Sequence, residues 1–280
     1  MSKEFCMNTK APIVETAKGK LRGFHYDGVD HFYGIRYAKA KRFQMPEPVA
    51  SWEGVKDAGS YGMICPVLNE PMPTGEVMTP HRFWPSSEHC QYLNVWTASC
   101  DPAAKRPVMF WIHGGGYAAG SSIEQVCYDG FNLAKLDDVV VVSVNHRLNA
   151  FGYMDMSDFG EKYKNSVNVG MADLVEALRW VRENIASFGG DPENVTIFGQ
   201  SGGGGKVTVL GQIPEAEGLP EWKACAEGSM QTMVFDDVCY TKENMQDELL
   251  PLVKAYKPPF KFEMEAPEND DEEGGNAWVF

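Results

Sequence analysis

Val195-Thr-Ile-Phe-Gly-Gln-Ser201-Gly-Gly203 is the stretch of sequence that decides the fold. A short β-branched run leads into a G-x-S-x-G turn, and small residues then open a helix, which is the pattern of a nucleophile elbow. Glycines allow the chain to turn sharply there, so the hydroxyl of Ser201 is expected to stand exposed at the end of a strand. We therefore predict Ser201 as a nucleophile.

A serine hydroxyl needs a base that takes its proton, and the histidines of this chain are badly placed to supply one. In folds built on this elbow, the base is a histidine that follows both the serine and the acid in the chain. All six histidines precede the serine, at His25, His31, His81, His89, His113 and His146. The sequence thus predicts a nucleophile without its usual acid and base.

A second glycine-rich turn lies upstream of the elbow. The apolar run Val108–Ile112 ends in His113-Gly-Gly-Gly116, where the lack of side chains lets backbone N–H groups converge. Together with the N–H of Gly202, those of Gly115 and Gly116 form a predicted oxyanion hole, a set of donors that faces a developing negative charge. Each motif alone is explained by a tight turn, but both motifs, in this order after strands, favour the catalytic interpretation.

Three side chains are candidates for lining the site. We expect His113 to hold the glycine loop by hydrogen bonding rather than to act as the base. His146 follows the predicted strand Val139–Val144 at the sheet edge of Ser201, near Gln200. We interpret His146 as a packing and hydrogen-bonding residue, with the role of a substitute base as the alternative. Because the sequence has no zinc-type cysteine and histidine spacing, we expect no metal site.

The order of the predicted elements favours a doubly wound α/β sheet. Predicted strands at Val108–Ile112, Val139–Val144 and Val195–Phe198 alternate with an amphipathic helix at 171–185, which Gly189-Gly190 ends. Such alternation gives mostly parallel strands with right-handed crossovers, and ligands bind beyond the carboxyl ends of these strands.

The N-terminal third is expected to be antiparallel. Lys20–Phe24 and His31–Ile35 flank Asp27-Gly28, a hairpin signal, and Tyr92–Trp96 is a further predicted strand. The proline-rich stretch from Met45 to Pro85 is expected to be irregular, since proline interrupts both helices and strand ladders.

Composition and charge narrow the partners of this chain. It has 280 residues, of which 44% are apolar, a net charge of −14 and a pI of about 4.9. Such a chain repels phosphate backbones, so we expect no nucleic acid partner. Its apolar runs are too short to span a membrane and its N-terminus resembles no secretory leader, so we expect a cytoplasmic protein with no membrane partner. The acidic residues 263–280 are expected to form a disordered tail.

The cysteines indicate a reducing compartment. There are seven of them, at scattered positions and in no C-x-x-C pair. Cys65 and Cys90 bracket the proline-rich loop, so a disulfide between them and a pair of free thiols are both open. Without a secretory signal we favour the free thiols.

These motifs resemble the type-B carboxylesterase and cholinesterase-like family of α/β-hydrolases. Phe188–Gly203 fits the active-serine pattern of that family throughout, and Asn145–Gly152 and Asn168–Asp173 are similar to its core. Ser87–Trp96 resembles a second signature of the family, with two departures, since His89 and Gln91 stand where Asp and Leu are usual. The resemblance covers about residues 12–218.

The resemblance implies a fold and a chemistry. It implies the α/β-hydrolase fold and hydrolysis of small-molecule carboxylic esters through an acyl-enzyme at Ser201, without metal or cofactor. It also implies that Gly115, Gly116 and Gly202 form the oxyanion hole, and that Cys65 and Cys90 stand where many members carry a disulfide.

Downstream of the elbow the chain departs from the family. Family members are considerably longer and carry their acid and histidine in the second half. Residues 219–262 resemble the extreme C-terminus of the family, with a predicted strand at 232–235 and a predicted helix at 245–254. We therefore expect residues 1–218 to be the N-terminal part of a hydrolase domain that is truncated on its C-terminal side and lacks the acid, the histidine and most of the acyl pocket.

Two functions of different classes follow. The first is a carboxylic ester hydrolase that is impaired in this chain, because no histidine follows Ser201. The alternative is a non-catalytic member used for binding or adhesion, or an inactive remnant of an esterase. The retained serine and the complete glycine loop favour the first.

Overall fold

The computed structural model describes residues 11–67, 82 and 84–213, and the backbone of 231–234 and 240–243. The strands are β1 (Ile13–Thr16), β2 (Gly19–Arg22), β3 (Phe24–Tyr26), β4 (Val29–Arg36), β5 (Ala38–Lys39), β6 (Glu47–Pro48), β7 (Val55–Asp57), β8 (Tyr92–Thr97), β9 (Arg106–Ile112), β10 (Val140–Val144), β11 (Gly190–Gly199), β12 (Gln231–Val234) and β13 (Tyr240–Glu243). The α-helices are α1 (Phe131–Leu136), α2 (Asn149–Tyr153), α3 (Val169–Asn184) and α4 (Gly202–Leu210).

A mixed six-stranded sheet carries the site, in the strand order β11-β9-β10-β8-β4-β3. The strands β11, β9 and β10 run parallel to one another, so their carboxyl ends meet at one edge. The strands β8, β4 and β3 continue the sheet in antiparallel pairings, as expected for the N-terminal third. A smaller sheet of β1, β2 and β7 and a short ladder of β5 and β6 also belong to this part of the chain.

The predicted hairpin is present, with a shift in its first strand. Asp27 and Gly28, both at positive φ (47° and 85°), form the two-residue turn between β3 and β4. The expected strand Lys20–Phe24 is divided at Gly23, whose position for a Cβ lies only 2.2 Å from the carbonyl oxygen of His31. The chain therefore changes sheets at this glycine, since β2 pairs with β1 and β3 pairs with β4.

The central strand β10 is buried on both faces, as its run of valines predicted. Val140, Val142 and Val144 belong to the core that α3 covers, together with Leu174 and Val181 of that helix. The intervening Val141 packs on the opposite face with Trp96 and with Ala134 of α1. Helices thus cover both faces of the sheet, which is the expected doubly wound arrangement.

The predicted amphipathic helix is α3, and its end differs in detail from the expectation. The 3₁₀ turn Ile185–Phe188 continues the helix, and Gly189 at φ 81° then reverses the chain in the left-handed conformation. Gly190 already opens β11, five residues before the predicted strand, and a register shift separates it from Val195. The predicted strand began too far along the chain because β-branched residues begin only at Val195.

A buried ion pair connects the end of β10 to α3. Arg147 and Asp173, with side chains 2% and 0% exposed, form a bidentate pair whose nitrogen–oxygen distances are 2.8 and 2.7 Å. The guanidinium also donates to the carbonyl oxygens of Gln44 and Val169. Because all partners are fixed by backbone or by the opposite charge, this pair ties the loop after β10 to the helix that precedes β11.

Two further expectations concern other regions. The proline-rich stretch contains two short strands, β6 and β7, so its described part is more regular than predicted. The chain divides into the units Met1–Trp222 and Lys223–Phe280, and in the second unit β12 and β13 form an antiparallel pair where one strand was predicted. The predicted helix at 245–254 and the acidic residues 263–280 lie outside the described residues. Within the described ranges, no helix is long and apolar enough to cross a membrane.

Candidate active site

Ser201 lies at the junction of β11 and α4, in the turn that the sequence predicted. Its φ of 53° and ψ of −123° fall outside the regions that residues with a Cβ usually occupy. Strain of this kind costs on the order of 1–3 kcal/mol and is found where surrounding contacts hold the residue, frequently at catalytic positions. The residue is exposed, so its hydroxyl is open to a substrate beyond the carboxyl end of β11.

Direct backbone contact joins the elbow to the glycine loop and requires glycines at the junction. A Cβ on Gly203 would lie 2.1 Å from the carbonyl oxygen of Ile112, at the end of β9. A Cβ on Gly202 would lie 2.4 Å from the Cα of Gly116. The elbow therefore fits against the end of β9 and against the loop only without side chains at these positions, which brings Gly116 next to Ser201.

The carbonyl groups of the glycine loop are hydrogen-bonded within the protein. The Nδ1 of His113 lies 2.9 Å from the Gly114 oxygen, and the amides of Ala118 and Ala119 donate to the Gly115 oxygen at 3.2 and 3.0 Å. Because a trans peptide is planar, the N–H groups of the two following residues point the opposite way. In the described part of the chain, neither of these two N–H groups donates to a protein partner.

The two free N–H groups belong to Gly115 and Gly116, the residues predicted to form the oxyanion hole. Gly115 and Gly116 both adopt positive φ (86° and 62°), and both are exposed. Unpaired, preoriented N–H donors beside an exposed serine are the arrangement that stabilises an oxyanion. The N–H of Gly202, the third predicted donor, opens α4 directly after the serine.

His113 and His146 lie beneath the glycine loop and do not face solvent. They are 1% and 0% exposed, and their ring centroids are 4.9 Å apart. Burial lowers the pKa of His113 to about 3 and places the pKa of His146 well below its usual range. Both rings are therefore neutral, and the contact of His113 with the Gly114 oxygen matches its expected role as a support of the loop.

Among the described residues, no side chain is hydrogen-bonded to the hydroxyl of Ser201. His146 is fully buried, as expected for a packing residue, but the expected hydrogen bonds are absent, since neither of its ring nitrogens has a partner among the described residues. Its lowered pKa also makes it a weak base. Gln200 is exposed, and its Oε1 lies 2.6 Å from the position of a Cβ on Gly114, so it borders the loop beside the serine.

Sequence reasoning missed one charged residue of the site, Lys206. It is 0% exposed on α4, its Nζ donates to the Gly116 oxygen at 2.5 Å, and it lies 5.0 Å from the centroid of the Tyr117 ring. Burial lowers its pKa to about 8. A signal was available, since Lys206 is the one charged residue in Gly202–Leu210, a helix otherwise made of glycine, valine, threonine and leucine.

Cys65 and Cys90 come together in the structure as two buried free thiols. Both pack against Leu148, whose N–H donates to the Cys65 sulfur at 3.2 Å. Burial raises the pKa of the Cys90 thiol well above its usual value, so this thiol is protonated and unreactive. Within the described ranges, no group of three or more histidine, cysteine, aspartate or glutamate side chains is placed to hold a metal ion.

The sheet order, with an elbow after β11 and a glycine loop after β9, is that of the α/β-hydrolase class. The model of the carboxylesterase family matches residues 10–237, and the chain belongs to that family. The resemblance read from the sequence is thereby confirmed.

Relatives and solved structures support this assignment. Para-nitrobenzyl esterase of Bacillus subtilis is 42% identical over 233 residues, which are 82% of this chain and 46% of that protein. Cocaine esterase of Oryctolagus cuniculus is 39% identical over 76% of this chain and 41% of its own length. A solved esterase from Clostridium hathewayi, described as hydrolysing aliphatic aromatic polyesters, is 60% identical with a TM-score of 0.73, over 76% of this chain and 42% of that one.

The chain therefore spans less than half the length of these relatives. This partial coverage agrees with the truncation that the sequence predicted. The solved relatives also establish the α/β-hydrolase fold for the part of the chain that they match, at identities far above those that indicate fold alone.

Proposed function

We propose that this chain forms an acyl-enzyme at Ser201 with small-molecule carboxylic esters, and that its turnover is impaired. One observation carries the proposal, namely the exposed, strained Ser201 beside two loop N–H groups, of Gly115 and Gly116, that have no partner among the described residues. Two relatives are named for different esters, as para-nitrobenzyl esterase and cocaine esterase, so the proposal extends to the carboxylic ester as a class.

The proposed reaction has two halves. The oxygen of Ser201 attacks the ester carbonyl carbon, and the carbonyl oxygen takes the electron pair while the N–H groups of Gly115, Gly116 and Gly202 bind it. Collapse of this intermediate expels the alcohol, which takes up a proton, and leaves the acyl group on the serine. Water then attacks the acyl carbon and releases the carboxylic acid.

The missing base determines the rate that we expect. In this chain the serine proton passes to solvent, because no described residue accepts it. An oxyanion hole and substrate binding alone leave roughly 10³–10⁴ of acceleration over water in serine hydrolases without their triad. We therefore expect slow acylation rather than none.

The first test compares wild type with Ser201→Ala on an activated short-chain ester, p-nitrophenyl acetate. We expect slow nitrophenolate release with an acetyl group on the peptide that contains Ser201, found by mass spectrometry, and neither with the variant. Ser51→Ala, at another exposed serine, is the matched control and should behave as wild type. Equal hydrolysis by wild type and Ser201→Ala, without a serine adduct, would contradict the proposal.

A further inference from the structure

Lys206 is a buried cation whose role the family chemistry does not explain. It has no exposed surface, and no carboxylate in the described part of the chain pairs with it. Burying an ammonium group without an opposite charge is unfavourable, since desolvation favours the neutral form. The group that compensates this cost is the carbonyl of Gly116, which accepts a hydrogen bond from Nζ.

The hydrogen bond from Lys206 matters because, with it, both peptides that flank the Cα of Gly116 are held in place. The peptide that precedes the Cα of Gly116 is held by the amides of Ala118 and Ala119, which donate to the Gly115 oxygen. The peptide that follows the Cα is held by Lys206. Gly116 has φ of 62° and no atom within 4 Å of its Cβ position, so neighbouring side chains do not restrain it.

We propose that Lys206 is a positioning residue of the oxyanion hole, whose ammonium group fixes the backbone of Gly116 and adds positive charge beneath the bound oxyanion. This inference rests on the proposed acylation of Ser201. It assigns Lys206 no part in proton transfer, because its Nζ is bonded to the loop carbonyl. The charge is supplied by α4, the helix that Ser201 itself opens, so the nucleophile and the hole are set by one element.

The charge of Lys206 makes the effect depend on pH in a defined direction. With a pKa of about 8, the ammonium form prevails below that pH, and the charge is lost above it. The titratable groups that face it are His113 from the glycine loop and His146 from the end of β10, and burial keeps both neutral. The ring of Tyr117 covers it as a cation–π contact. The oxyanion hole is therefore strongest below about pH 8 and weaker above it.

A first experiment detects the contact without any activity. Label the chain with ¹³C-carbonyl glycine and ¹⁵N-tyrosine, and record a carbon-detected carbonyl–nitrogen spectrum. Only the Gly116-Tyr117 and Gly152-Tyr153 pairs give signals. We expect the Gly116 carbonyl shift to titrate with a midpoint near pH 8, while Gly152 serves as the internal reference. A Gly116 shift that stays constant from about pH 6 to 10 would overturn the inference.

A second experiment measures the consequence for the nucleophile. A fluorophosphonate bonds its phosphorus to the Ser201 oxygen and releases fluoride, while the serine proton passes to solvent and the phosphoryl oxygen occupies the hole. We expect labelling of Lys206→Met to be about tenfold slower than that of wild type near pH 7, in line with the loss of one charge-assisted hydrogen bond, and the ratio to approach one above about pH 9. Lys39→Met, at an exposed lysine, should label as wild type.

The outcomes separate the two proposals. Equal labelling of wild type and Lys206→Met, or a ratio that does not change with pH, refutes the inference about Lys206 and leaves the acylation proposal standing. No labelling of wild-type Ser201 refutes the acylation proposal, and the carbonyl titration then decides the Lys206 contact by itself. Thermal melting of Lys206→Met identifies a folding defect, in which case the wild-type titration is again decisive.

Discussion

Gly203 and Gly205 lie two positions apart on α4, yet they differ in what a side chain would contact. A methyl group on Gly203 would press on the Ile112 carbonyl at 2.1 Å, whereas one on Gly205 meets nothing within 4 Å. We predict that Gly203→Ala destabilises the fold by about 1–3 kcal/mol through overpacking. Gly205→Ala should stabilise it by about 0.5–1 kcal/mol, because alanine has the better helix propensity.

Urea denaturation of both variants, with Gly205→Ala as the matched control, tests this contrast. Similar free energies of unfolding for the two alanine variants would show that the elbow adjusts to a side chain at Gly203.

At the scale of residues, the sequence predicted the parts of the site that depend on local conformation. Ser201 and the loop glycines were found because a sharp turn needs glycine at fixed offsets, and such spacing is visible in one dimension. Lys206 was missed because a lysine in a helix normally faces solvent. Only the approach of the glycine loop to α4, some ninety residues apart in the chain, makes that position a buried one.

At the scale of elements, α3 is anchored by its Asp173, which has no exposed surface. Asp173→Ala leaves the guanidinium of Arg147 buried without its opposite charge, and we predict a loss of about 3–5 kcal/mol in the free energy of unfolding. Arg179→Ala removes the exposed partner of Glu176 on the same helix, and we expect a change within about 0.5 kcal/mol. Equal losses from the two variants in a urea titration would refute this ranking.

Strand positions were predicted well where β-branched runs are continuous and poorly where pairing with another strand decides the boundary. The valines of β10 marked that strand within one residue. Gly23 ends one strand and Gly190 begins another, and at both a distant segment lies close. It is the His31 carbonyl at Gly23 and the side chain of Val108 at Gly190. Such contacts between distant segments leave no periodic trace in the sequence.

At the scale of the whole molecule, the neutral buried histidines make the free energy of unfolding decrease at acidic pH. His113 has a pKa of about 3 in the folded chain against 6.5 when solvated, and the pKa of His146 is also well below 6.5. Between these limits the unfolded chain binds more protons, so stability is complete above about pH 6.5 and decreases as the pH falls toward 3. Each histidine contributes a slope of about 1.4 kcal/mol per pH unit at most.

Urea titrations at several pH values between about 6 and 4 measure this slope. His146→Phe, which keeps an aromatic ring of similar size, should reduce it by about the contribution of one proton. A slope that is the same in wild type and variant would place the acid sensitivity elsewhere in the molecule.

The fold of the part that matches the family was predictable from the sequence. The alternation of strands and helices and the two glycine motifs in fixed order define it. The order of the serine and the histidines is read directly from the sequence, since all six histidines precede Ser201. The two histidine rings beneath the loop were not predicted as a pair, since their contact depends on the parallel pairing of β9 with β10. His113 directly follows β9, and His146 lies two residues after the end of β10.

The fixed carbonyls of the glycine loop have a consequence for how such a site can be used. Contacts from His113, Ala118, Ala119 and Lys206 fix these carbonyls without help from a bound ester. A base need not then belong to the polypeptide, since an exposed hydroxyl is within reach of small molecules. Imidazole dissolved in the buffer would take the role of a dissociable coenzyme, and the rate of acyl transfer would follow its concentration.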